Sequence, residues 1–205
     1  MIGPVITPRP ICAQVYLIGQ APGPREGAIG RPFAWTAGRT LFRWFATIGA
    51  DEEVVRSRTW IAAVCRCFPG KASSGGDRVP APDEVAACSR WMRREITLLT
   101  PRLIIPIGRL AITQALGIDA PLAEVVGTSH RRVFLGHECD IIPLPHPSGA
   151  STWFKREPGI GLTRRALELI AAHEAWRSVT TVQAESSSSA RSSPMMPSGF
   201  ASRPR

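Results

Sequence analysis

Histidine is scarce in this chain, four among 205 residues, and one of them, His146, stands in Leu144-Pro145-His146-Pro147-Ser148-Gly149-Ala150-Ser151. An imidazole between prolines sits on a stiff backbone, and the small residues after it leave main-chain amides free to donate. A neutral imidazole N–H held this way can stabilise negative charge developing on a substrate oxygen. The amides around Pro147 and Gly149, with the Ser148 and Ser151 hydroxyls, can take a phosphate. A second stretch runs Gly19-Gln20-Ala21-Pro22-Gly23, then Glu26, then Gly30-Arg31-Pro32-Phe33. It offers an amide side chain able to orient water, a carboxylate able to accept its proton, and a flat aromatic face. Each signal has a plainer reading. A glycine-rich loop can be a simple turn, a lone histidine a satisfied structural group, and Phe33 a core side chain. The glycines do not form GxGxxG, and the two lysines, Lys71 and Lys155, stand outside any phosphate-binding loop of the Walker kind.

Both stretches follow apolar runs, which is what could make them work together. Four such runs, Val15 to Ile18, Trp60 to Val64, Leu103 to Ile107 and Asp140 to Leu144, have the length and composition of buried parallel strands. Helical spacing is read at Ala37 to Ile48, Pro82 to Leu99, Arg109 to Leu116 and Gly161 to Arg177. The alternation predicts an α/β fold: one domain with a central, mostly parallel four-stranded sheet and helices on both faces. Ligands of such sheets gather at the carboxyl ends of strands, where both stretches lie. Residues 1–11 are expected to be a flexible N-terminal segment, residues 12–177 the folded domain, and residues 178–205, rich in serine, a disordered tail.

The formal net charge of +9 favours a polyanionic partner, nucleic acid first, although arginine content alone can also arise from genomic composition. Five cysteines, at 12, 65, 67, 88 and 139, with no secretory signal upstream, fit a reducing cytoplasm. No apolar stretch approaches the roughly 18–20 residues that span a bilayer. A monomer without a membrane partner is expected.

The order and spacing of Gly19-Gln20-Ala21-Pro22-Gly23, Gly30-Arg31-Pro32-Phe33, Leu103 to Gly108 and His146 to Ser151 resemble the uracil-DNA glycosylase superfamily from about Val15 to Leu169. The middle segment Cys65 to Cys88 is most similar to its family 4 enzymes. The resemblance implies a DNA-repair glycosylase that flips uracil out of DNA and hydrolyses the N-glycosidic bond, leaving an abasic site. Its partners would be uracil-containing and abasic DNA. Phe33 would stack on the base and His146 would donate to a uracil carbonyl. Gly19, Ala21, Pro22 and Gly23 would wall the base site. Ser148, Pro147, Gly149 and Ser151 would meet DNA, with Trp153 as a wedge or a core residue. Lys71, Arg78 and Arg109 would track phosphates.

This chain departs from the family pattern at three places. Ala21 stands where the best-known members carry an acid or asparagine, and Gln20 where family 4 has glutamate, so water activation falls to Gln20 or Glu26, with Asp77 and Asp83 as weaker candidates. Ala62 and Ala63 stand near the place of an asparagine that reads the uracil edge, leaving Arg66, the backbone amides and His146 as readers. Family 4 holds an iron–sulfur cluster on four cysteines. Here Cys65 or Cys67 and Cys88 match the second pair, while Cys12 alone precedes the first motif. No metal and no cofactor are expected. Two other readings stay open: a uracil- or abasic-site DNA-binding protein of the same fold with little turnover, and a small-molecule nucleotide binder.

Overall fold

A strand without a polar face must be covered on both sides, and β1 (Val15–Gly19) is buried at every position. The computed structural model describes residues 1–73, 75–149 and 151–181. In it β1 is paired in parallel on one side with β2 (Trp60–Ala63) and on the other with β3 (Leu103–Pro106), Leu17 lying level with Ile61 and Ile105. Two further strands complete the sheet: β4 (His130–Phe134) and β5 (His137–Ile141). The order is β2-β1-β3-β5-β4, all parallel except β4.

The four expected strands are therefore present, the last beginning earlier, at His137, and reaching Leu144 through a bridge to Ile107. Strand β4 is the addition. It escapes a pattern search because it is an edge strand whose Arg131, Arg132 and Val133 are exposed, and charge on an open edge discourages pairing with other chains. Leu135 and Gly136 join it to β5, both at positive φ (50° and 92°), as a two-residue type I′ turn requires.

The helices are α1 (Glu26–Ile29), α2 (Thr36–Ala46), α3 (Glu52–Arg58), α4 (Pro82–Leu99), α5 (Arg109–Leu116), α6 (Leu122–Val125), α7 (Gly159–Ala172) and α8 (Glu174–Thr181). Short α3 was not anticipated; Asp51 starts it by accepting from the Val54 amide at 2.9 Å. The single helix expected at 161–177 is broken at His173, whose Nδ1 accepts from the Ala175 amide at 3.1 Å while Nε2 meets Asp140 at 3.1 Å. Helix α8 then runs to Thr181 with Trp176 and Val179 buried, so the ordered fold passes the expected boundary at 177. The tail from 182 lies outside the described residues. The start of the chain is also tied down: the Ile2 amide donates to Phe68 O at 2.7 Å and the Ile6 amide to Arg66 O at 2.8 Å, with Ile6 buried. Among the described residues no helix is long and apolar enough to cross a membrane.

The chain leaves β1 for β2 on one side and then reaches β3 on the other. The reversal opens a crevice at the carboxyl ends of β1 and β3, the place where open α/β sheets bind ligands.

Candidate active site

A pocket of ≈ 340 Å³ occupies that crevice. Gly19 to Gly23 form its floor from the end of β1, and Phe33 and Trp35 line it from the same loop. Ala63 comes from the end of β2, Lys71 and Asp77 from the middle loop, and His146 and Ser148 from the loop after β5. The sheet brings together segments far apart in sequence. The Gly19 and Gln20 carbonyls are held by the Val64 and Cys65 amides at 2.9 and 3.1 Å, which continue the β1–β2 pairing into the loop.

Phe33 has a left-handed backbone, φ 52°, a conformation that costs of order 1–3 kcal/mol and persists only where its surroundings impose it. Several groups impose it here. Arg56 of α3 donates to the carbonyls of Pro32 (2.9 Å) and Phe33 (3.0 Å), and its guanidinium lies 4.5 Å from the Phe42 ring centroid. Glu26 accepts from the Gly23 amide with one carboxylate oxygen and from the Ala34 amide with the other, each at 2.9 Å. Gly38 leaves room for the Phe33 carbonyl, which would stand 1.8 Å from any Cβ placed there. The Phe33 ring in turn fills the space beside Gly19, its Cζ 2.8 Å from where a Cβ would sit.

His146 is fixed as firmly. The Ser148 amide donates to Nδ1 at 3.3 Å, so in the neutral ring the proton is on Nε2, which becomes a donor. Burial pushes its pKa below the ordinary imidazole value, against the opposing charge of Asp77, and favours that neutral donor. Gly108, at φ 85°, permits the close approach, since a Cβ there would meet the His146 Cβ and Cδ2 at 3.1 Å.

Of the residues singled out in the sequence, the pocket gathers Gln20, Glu26, Phe33, Lys71, His146 and Ser148, with Gly19, Ala21, Pro22 and Gly23. Other assignments need correction. Glu26 is buried with both oxygens taken by backbone amides, and so braces the loop. Arg66 does not line the pocket; it is buried and ion-paired to Glu95, which also accepts from the Tyr16 hydroxyl. Its Nη1 has no partner among the described residues. Arg78 donates to both Glu84 oxygens at 2.8 Å and to Pro69 O, and so closes the middle loop onto α4. Arg109 pairs with Asp119 at 2.8 Å outside the pocket. Trp153 is half-buried with its side chain packed against the core, and its carbonyl stands 2.1 Å from where a Gly159 Cβ would sit. Pro147 is buried, Ser151 is half-buried with its amide bonded to Ser148 O at 3.1 Å, and Gly149 is exposed.

Two pocket residues were undervalued or missed. Asp77 lies at the pocket wall, paired to Lys71 at 2.6 Å. Trp35 is exposed at the mouth with the Arg25 guanidinium 4.2 Å from its ring centroid. An aromatic two residues beyond Phe33 was the available signal for it.

The cysteines do not fit a four-cysteine cluster. Cys65 follows β2, whereas Cys139 lies in β5, three strands away, about 14 Å at the usual spacing. Cys12 is exposed. Among the described residues no group of three or more His, Cys, Asp or Glu side chains is placed to hold a metal ion.

Comparison with known proteins agrees with this geometry. The chain is similar to the type-4 uracil-DNA glycosylase of Sulfurisphaera tokodaii, 30% identical over 142 residues, covering 67% of this chain and 61% of that one. The type-4 uracil-DNA glycosylase of Archaeoglobus fulgidus is 29% identical over 140 residues, 66% of each chain. That of Thermotoga maritima is 28% identical over 136 residues, covering 66% of this chain and 65% of the other. The chain thus spans slightly less than two thirds of the length of these relatives. The family model described as uracil DNA glycosylase superfamily matches residues 9–168, which include both pocket loops and every strand, and the chain belongs to that superfamily.

Proposed function

We propose that this protein excises uracil from DNA by hydrolysing the N-glycosidic bond and leaves an abasic site. The observation that carries the reading is the Nε2–H of His146, fixed by the Ser148 amide and lining the same pocket as the braced Phe33 ring. Bond cleavage puts negative charge on the departing base and positive charge on the sugar. A preset neutral donor stabilises the first without a solvent rearrangement, while the ring holds the base in plane. The +9 charge and the Trp35–Arg25 stack at the mouth suit a phosphate backbone and an unstacked base. Uracil-containing and abasic DNA are then substrate and product. Five free thiols suit the cytoplasm, and the protein is expected to act as a monomer.

The test is uracil release from labelled single- and double-stranded oligonucleotides. Release should fall about 100-fold or more in His146→Ala. Tight binding to an abasic duplex without release would overturn this reading, and release indifferent to His146 would overturn the role given to its Nε2–H.

A further inference from the structure

We propose that Asp77 is the catalytic base that takes the proton of the attacking water, a role that the first-strand loop of this chain leaves vacant; the proposal rests on the uracil-excision reading. Gln20 and Ala21 carry no group that can accept a proton at neutral pH. Only two carboxylates line the pocket among the described residues, Glu26 and Asp77. They differ in what their oxygens do. Both oxygens of the buried Glu26 are taken by backbone amides, so neither is free to turn toward water. Asp77 gives Oδ1 to Lys71, while Oδ2 accepts no hydrogen bond among the described residues and lies 3.7 Å from where a Gly23 side chain would begin. Gly23 thus leaves the approach to that oxygen open, and with its side chain 42% exposed Asp77 is within reach of water.

The loop that carries Asp77 is held in place. Lys71 and Asp77 form an antiparallel bridge, the Ala72 amide donates to Gly76 O at 3.1 Å, and the Arg78 amide donates to Gly70 O at 2.9 Å. Next in sequence, Arg78 is clamped between Pro69 O and Glu84. The charged and titratable groups that share the pocket with Asp77 are Lys71 on its own loop, Arg25 and Glu26 on the first-strand loop, and His146 on the loop after β5.

The step balances as follows. The water oxygen bonds to C1′ as the C1′–N1 bond breaks and its electron pair leaves with uracil. One water proton passes to Asp77 Oδ2, and the uracil anion is held by the Nε2–H of His146. Asp77 then gives the proton to the departing base or to solvent. A positioned general base contributes about 10²–10⁴-fold.

Single-turnover uracil release and binding to a uracil-containing duplex, measured on wild type, Asp77→Asn and Asp77→Glu, test this. Asp77→Asn should lower the release rate about 100-fold or more while binding DNA no more weakly and melting at the wild-type temperature; Asp77→Glu should regain part of the rate. An Asp77→Asn rate within about threefold of wild type, or a loss matched by an equal loss of binding, would overturn the role. Absence of release by the wild type would overturn both proposals, and is told apart from failure of Asp77 alone, where wild type and Asp77→Asn release uracil equally.

Discussion

The loop after β1 and the middle loop at 70–79 face each other across one pocket and are built on opposite principles. The first is braced from inside. Glu26 is 8% exposed and spends its carboxylate on two amides, Arg56 anchors two carbonyls, and Gly38 makes space for the strained Phe33 backbone. The middle loop is tied from outside, by Lys71–Asp77 and Arg78–Glu84 pairs that remain accessible to water. A buried acceptor cannot be removed cheaply, because its amides stay dry and unpaired, whereas a solvated pair is replaced by water at little cost. The difference matches the tasks: an aromatic face must hold one plane, while a proton acceptor must meet water.

The largest effect that would break this contrast is expected at Gly38. A Cβ 1.8 Å from a backbone oxygen cannot be relieved by a side-chain rotation, so Gly38→Ala must move the Phe33 peptide or α2. It should cost about 3 kcal/mol, lowering Tm by about 6–12 °C and uracil release with it. A variant of wild-type Tm would mean that the loop is far softer than its bonding implies.

Glu26→Gln comes next. The glutamine oxygen can serve the Gly23 or the Ala34 amide and turns a donor toward the other, so about 1–3 kcal/mol should be lost. The contrast with Asp77→Asn sharpens the comparison: the first should lose stability and the second rate. Thermal melting beside single-turnover release separates them, and a stable but inactive Glu26→Gln would return the catalytic carboxylate to Glu26.

The sequence made the frame of this site readable because buried parallel strands are written as apolar runs, and the residues at their ends could be grouped by chemical type. What it hid was burial and long-range pairing. Glu26 and Asp77 look alike as letters; only the fold shows that one is enclosed by its own loop. Arg66, which the sequence offered as a reader of the uracil edge, is instead buried against Glu95, 29 residues further on. Arg78 and Arg109 are also paired, to Glu84 and Asp119, but at the water-exposed surface rather than in the core. Strand β4 was hidden for the converse reason, since an exposed edge with two arginines carries no apolar signal.

The smallest effect concerns acid, and here the two loops should respond with opposite sign. Hydrogen bonds from Arg78 and from the Ala81 amide hold Glu84 at about 2, below the ordinary 4.5, so the stability it contributes is present above pH 4.5 and lost as pH falls toward 2. Glu26 is shifted the other way, raised by burial against the pull of the Gly23 and Ala34 amides. Its folded state prefers the proton, a preference that adds stability below the unfolded value and is lost as pH rises through the folded one. Comparing each variant with wild type cancels the acid response of every other group. The Tm gap between wild type and Glu84→Gln should therefore shrink from pH 7 to pH 3, whereas the gap to Glu26→Gln should widen. Parallel gaps would mean that the two glutamates sit in equivalent surroundings and that the division between a braced and a tethered loop does not hold.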